Sequence, residues 1–310
     1  MMRRERLWGL CVLGGAVLLL IAMFLLLLTE NGAWLLSLLR ATDVIWEKPR
    51  AFGVFHLVWL IFCIFLSVFT GVLGYKKGKE STDRVLLFSG LLFWLLEGYK
   101  QLYSFFVIND RVFDFGFFPF QFCSLPLYLF LLLPFLPEGK IKETFYKFIA
   151  LFGTMGGCLV MGYPRFYDRA ALCVHTMLWH TVMIAVGVYV LFARGYGKSW
   201  GREVLPAAVP FLTFLSFATL LNVLLTPYAL GSPNPLDLYY ISPYTRTNYF
   251  VIAEVQEVFG WWASLLTYAV LFVFMGATLV FFATALIRFA VKRLQVMRMN
   301  LKKSKKEGKN

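Results

Sequence analysis

Apolar residues run through this chain in long, nearly unbroken stretches, not in the alternating or i, i+3, i+4 patterns of a soluble domain. They cover about 7–28, 52–74, 85–107, 118–136, 144–163, 171–193, 204–226 and 259–287. Stretches of this length suit helices that cross the hydrocarbon of a bilayer. The pattern predicts an all-α, multi-pass transmembrane helix bundle of about eight spans. Its organisation reads as an anchor span at 1–30, a linker outside the membrane at 31–51, a bundle of about seven spans at 52–290 and a basic tail at 291–310. The first stretch follows Met1-Met2-Arg3-Arg4-Glu5-Arg6 as a signal peptide would. No A-x-A-like site follows it and its apolar run is long, so it reads as an uncleaved anchor.

A hydrophobic content of 60% excludes an ordinary soluble domain, and the net charge of +13 acquires its meaning from placement. Alternate loops and the C-terminal tail hold 22 Lys and Arg residues, the opposite loops hold 7, and Lys100 is left inside a span. By the positive-inside rule this predicts a cell-membrane protein with both termini in the cytoplasm. The tail after Arg288 is expected to fix topology and contact anionic lipid. Nucleic acid is not an expected partner, because no aromatic residues interleave the tail's lysines. The 5 cysteines lie in apolar stretches without metal-ligand spacing or a disulfide framework. Cys11, Cys63, Cys158 and Cys173 read as small packing residues, and neither a metal nor a cofactor is implied.

Polar groups inside spans are costly and point to function or to helix pairing. With the predicted orientation, His56, Glu97, Lys100, Gln101, Cys123, His175, His180 and Asn222 share the outer-leaflet depth although they belong to five spans. Glu97, Lys100 and Gln101 stand at i, i+3 and i+4, on one helix face, as a structural ion pair or a headgroup site. Asn222 fits interhelical hydrogen bonding or a ligand contact.

The stretch Phe117-Phe118-Pro119-Phe120-Gln121-Phe122-Cys123-Ser124-Leu125-Pro126-Leu127-Tyr128 is the least regular. Pro119 suits the first position of a helix, which would put Cys123 near the second turn, where the positive helix end favours a thiolate. Pro126 would then kink that helix beside Cys123. A cysteine nucleophile needs a base, and His175 and His180 are the candidates. Five residues separate them, about 140° around a helix, so only one can face the thiol. Gly153, Gly156, Gly157 and Gly162 allow close helix approach. The segment 227–258, with Tyr239, Tyr240, Tyr244 and Tyr249, reads as an aromatic interfacial belt or a lid. No Gly-rich phosphate loop, HExxH or GxSxG motif is present, nor an obvious inverted repeat.

Pro119-Phe120-Gln121-Phe122-Cys123-Ser124-Leu125-Pro126-Leu127-Tyr128, the His175–His180 stretch, Phe55-His56-Leu57 and Leu96-Glu97-Gly98-Tyr99-Lys100-Gln101 carry a resemblance. On these motifs, over about 50–290, the chain resembles the YwaF-like bacterial integral membrane proteins, relatives of the eukaryotic transmembrane protein 164. That resemblance implies phospholipid acyl transfer through a cysteine acyl-enzyme with a histidine partner, at positions Cys123 and His180 here. The expected function is a lipid acyltransferase or acyl-ester hydrolase. Its substrate contacts are expected from His56, Glu97, Lys100, Gln101, Gln121, His175 and Asn222, with Gln121 at the oxyanion. A transporter using Glu97, Lys100 and the histidines as a polar path is the alternative, and a non-catalytic membrane scaffold is the third class.

Overall fold

Among the residues described in the computed structural model (3–229, 234–247 and 249–307), the apolar stretches form helices. The one β-type pairing among them is an isolated bridge between Ile45 and Arg169. In chain order the helices are α1 (Arg3–Leu27), α2 (Ala33–Ala41), α3 (Val54–Lys77) and α4 (Thr82–Tyr103). They continue as α5 (Leu125–Leu132), α6 (Lys140–Phe148), α7 (Thr154–Gly162) and α8 (Ala170–Ala193). The last four are α9 (Trp200–Ala229), α10 (Phe250–Phe259), α11 (Trp261–Val270) and α12 (Thr278–Glu307). π-Helical turns prolong α4 over Ser104–Ile108 and join α6 to α7 and α11 to α12, so each of those pairs is one rod. The end of the expected basic tail, with Lys309, lies outside the described residues.

Seven of these rods are long and apolar enough to cross a membrane, and the span expected at about 118–136 is not. Helical structure there covers only Phe122–Phe135, about 21 Å of rise against about 30 Å of hydrocarbon. Three prolines explain the shortfall. Pro119 precedes the helical run, Pro126 sits in the first turn of α5, and Pro134 sits in the 3-10 turn that ends it. The expectations for the first two are therefore corrected: Pro119 does not open the helix and Pro126 does not kink it. A proline in the first turn sacrifices no helical hydrogen bond, because that N–H has no intrahelical acceptor.

The 117–135 stretch nevertheless runs antiparallel along the whole of α4. Gln101 reaches the carbonyl of Phe117, Gly90 lies against Leu131, and Leu87 and Phe135 flank Gly9 of α1. Close approaches elsewhere depend on glycine. A Cβ on Gly74 of α3 would come within 2.5 Å of the Tyr189 carbonyl of α8, which is why this pair packs backbone to backbone. The α1 rod is peripheral, with 6% of its apolar window buried.

The basic end of the bundle is tied by charges that are inside the protein. Lys142 is 1% exposed, and its Nζ donates to Asp83 Oδ2 and Glu138 Oε1, both at 2.8 Å. Tyr146 donates to the same Asp83. Arg194 pairs with Glu143 and lies over the Tyr146 ring at 4.0 Å, and Tyr196 donates to Glu143 at 2.6 Å. Lys142 and Arg194, loop charges by their position in the sequence, thus also join α4, α6 and the end of α8.

Candidate functional site

Between Asn109 and Leu125 the chain is mostly non-helical, and its peptide groups need partners that lipid cannot supply. Local backbone bonds provide some, and side chains of α4, α5 and α8 provide others. Gln101 Nε2 donates to Phe117 O at 2.7 Å, Tyr128 Oη to Pro119 O at 2.6 Å, and Trp179 Nε1 to Cys123 O at 2.8 Å. Cys123 thus sits in a 3-10 turn (Phe122–Ser124) that opens α5 and is held to α8 by Trp179. The Trp179 ring is itself fixed by stacking on Phe93 at 4.1 Å. Phe122 fits against Gly156 of α7, and the neighbouring Gly157 lies against the His180 carbonyl. The thiol's turn and the histidine's helix therefore meet at consecutive glycines of α7.

His180 is buried, and its Nδ1 is 2.7 Å from Thr176 O. A carbonyl only accepts, so Nδ1 carries the proton and Nε2 keeps its lone pair. That Nε2 is buried without a hydrogen-bond partner. His175 diverges from it: its ring stacks on Trp179 at 5.4 Å, on the side of α4, and its Nε2 is also unpartnered.

The expected Glu97 cluster forms. Lys100 Nζ lies 2.8 Å from Glu97 Oε1, and Gln101 Nε2 donates to the same oxygen at 2.7 Å. Glu97 Oε2 is buried and unpartnered. Beside it a groove of about 430 Å³ opens between α1, α4 and α5, lined by Leu20, Phe24, Trp94, Glu97, Leu127 and Tyr128 among others.

The remaining expected contacts are engaged in holding the fold. His56 Nδ1 accepts from the Phe52 N–H at 2.9 Å, so its Nε2 donates to Met161 O at 2.8 Å. Its ring packs on Phe166, which belongs to a different apolar cluster from the one that holds Cys123. Asn222 binds both backbone groups of Leu238, at 2.8 and 2.9 Å. Gln121 does the same between Asp237 O and Tyr239 N, at 2.8 and 2.7 Å. Its amide is thereby occupied at both ends.

Gln121 thus clamps the 237–239 stretch beside the Cys123 turn, and Asn222 holds the same stretch to α9. The belt reading is corrected for this part of the loop: Tyr239 is 2% exposed and its ring packs on Phe122 at 5.8 Å. Tyr239 and Tyr240 both take φ 57°, a left-handed conformation that costs a non-glycine residue about 1–3 kcal/mol. Asp237 accepts from Ser242 N and Thr245 Oγ1, and burial pushes its carboxyl above the usual range. Tyr244, 49% exposed, still suits an interface.

Sequence reasoning missed Trp179 and Trp94, and took Tyr239 only as part of a belt or lid. Trp179 was visible only as the neighbour of His180. The hydroxyl of Tyr239 and the indole Nε1 of Trp94 are buried without partners. Among the described residues no three His, Cys, Asp or Glu side chains converge as a metal set.

Residues 51–287 match the model of the TMEM164 family, close to the 50–290 extent read from the motifs. No curated protein and no solved structure matches the chain.

Proposed function

Because the chain belongs to the TMEM164 family, a family of membrane proteins, we propose that it transfers or hydrolyses lipid acyl groups through Cys123 and His180. One observation carries this reading. The Nδ1 of His180 donates to Thr176, which leaves the Nε2 lone pair without a partner in a buried site, on the helix whose Trp179 holds the Cys123 turn.

In the proposed reaction His180 Nε2 takes the thiol proton as Cys123 Sγ attacks the ester carbonyl. The tetrahedral intermediate collapses, the C–O bond breaks, and the leaving alkoxide receives that proton from His180. A thioester remains on Cys123. An acceptor hydroxyl, or water in a hydrolase, then attacks it. Its proton passes to Nε2 and returns to the departing sulfur. With the Gln121 amide occupied, the oxyanion falls to backbone N–H groups at the start of the α5 run and to the free hydroxyl of Tyr239. The positive-inside count supports cytoplasmic termini and a site toward the outer leaflet.

The test is acyl exchange by the purified chain as wild type, Cys123→Ala and His180→Ala, with mass spectrometry for a hydroxylamine-sensitive thioester on Cys123. Equal turnover in all three removes the nucleophile. The unpartnered Glu97 Oε2 and His175 Nε2 favour a second reading, a polar transport path. Solute flux into liposomes that survives Cys123→Ala and fails on Glu97→Gln would replace the first reading with this one.

A further inference from the structure

A second groove, of about 410 Å³, opens between α6 and α9, two helices that both start at the basic end of the bundle. Its walls are hydrocarbon from Ile141 and Phe145 of α6 and Val209 of α9. The Phe145 and Phe214 rings, 6.4 Å apart, close its inner end. From Pro206 to Phe214 it follows about 12 Å of helix rise, within one leaflet of a roughly 30 Å hydrocarbon layer. The proposed acyl chemistry does not use it, because Cys123 opens the α5 run and Lys140 follows the other end of that run.

Two polar features stand at its mouth. Lys140 is exposed and lines the groove. Among the described residues it has no carboxylate partner, unlike Lys142 and Arg194. The second feature is in the backbone of α9. Pro206 and Pro210 have no N–H, so the carbonyls of Arg202 and Pro206 lack the donors that an unbroken helix supplies. Each freed carbonyl lies beneath the proline ring four residues on, and both prolines line the groove. Backbone acceptors without donors at membrane depth call for a partner from outside the helix.

These features select a ligand by its chemistry. Lys140 takes an anion, a freed carbonyl takes a hydroxyl or N–H donor, and the walls take an alkyl chain. A phosphocholine lipid has neither net charge nor donor, and an anionic phosphodiester without hydroxyls satisfies the lysine alone. We infer that this groove holds an anionic phospholipid with a hydroxylated headgroup, such as phosphatidylglycerol, drawn from the leaflet at the basic end. Its phosphate pairs with Lys140 Nζ, and a headgroup hydroxyl donates to the Arg202 carbonyl, the freed acceptor nearer the mouth. One acyl chain lies along Ile141, Phe145 and Val209. The site is independent of the acyl-transfer reading, and its lipid is a resident of the fold and not a reactant.

The test uses the full chain in non-ionic detergent micelles, with a phosphatidylglycerol that carries a diazirine in one acyl chain as the probe. Photolabel is expected on residues 141–145 of α6 and 206–214 of α9. Competition for that label is the readout, so lipid gathered elsewhere by the basic tail does not enter. Unlabelled phosphatidylglycerol should compete about 2–10-fold better than phosphatidylmethanol, which has the same charge and no hydroxyl. Phosphatidylmethanol should in turn exceed phosphatidylcholine about fivefold, the worth of one lysine near anionic lipid. Lys140→Gln should remove the preference for charge and keep the preference for the hydroxyl. Pro206→Ala returns an N–H to the Arg202 carbonyl, so it should do the reverse. Val209→Trp should fill the groove and block the label. Equal competition by phosphatidylglycerol and phosphatidylmethanol on the wild-type chain overturns the inference, as does label confined to other helices. A preference for charge that survives Lys140→Gln overturns it too. The comparison of lipids on the wild-type chain needs no substitution, so it decides the matter even where a variant fails to fold.

Discussion

Replacing Trp179 by Phe isolates one hydrogen bond at the centre of the site. Nε1 is 2.8 Å from the Cys123 carbonyl, and the ring stacks on Phe93 at 4.1 Å. Phe preserves most of the stacking and deletes the donor. The Cys123 carbonyl then lies buried without that partner, at a cost of about 1–3 kcal/mol. Trp179→Leu should lose about 0.5–1.5 kcal/mol more, the usual worth of an aromatic pair. The assay is unfolding in mixed micelles, alongside the maleimide alkylation rate of Cys123 in a chain whose other four cysteines are alanine. With the tether gone the turn should loosen and alkylation should accelerate. Acyl turnover should fall about 100-fold, the effect of a misplacement of roughly 1 Å at a reacting group. Stability and alkylation both unchanged in Trp179→Phe would refute the claim that this tether positions the thiol.

Asn222→Leu leaves the N–H of Leu238 unpaired and its C=O with the Ile241 N–H alone, so amide hydrogen exchange over 236–242 should rise sharply while exchange in α8 stays unchanged. Lys142→Met strands Asp83 and should cost about 3–5 kcal/mol in an unfolding titration, most of which Asp83→Asn should restore in the double variant. Burial raises the Asp237 carboxyl above its unfolded value, so the folded loop holds that proton more tightly than the unfolded one. Its contribution is therefore complete below about pH 3.9 and declines as pH rises through the raised value. Exchange over 234–247, corrected for intrinsic rates, should increase across that window, and Asp237→Asn should flatten the dependence.

Hydropathy was enough to find the seven long rods, because hydrocarbon thickness sets a length that apolar runs record directly. The Glu97–Lys100–Gln101 face was equally legible, since its geometry is local to one helix. The 118–136 stretch was not. A proline kinks a helix or starts one according to where that helix begins, and here the start depends on bonds from Gln101, Tyr128 and Trp179. The amides of Gln121 and Asn222 carried no mark of their role for the same reason, as their partners lie 116 and 16 residues away in a loop of unusual backbone. Lys142 looked like a topogenic loop charge because sequence reports sign and not burial.

The tied-off peptide groups around Cys123 also bear on how the protein is made. Some of these groups are paired locally, as Pro119 O is by Tyr128, but others wait for segments that leave the ribosome much later. Trp179 is synthesised 56 residues after Cys123, and Asp237 comes 116 residues after Gln121. Those two tethers can form only when α8 and the 236–239 stretch have been made, which places the Cys123 turn among the last parts of the molecule to settle.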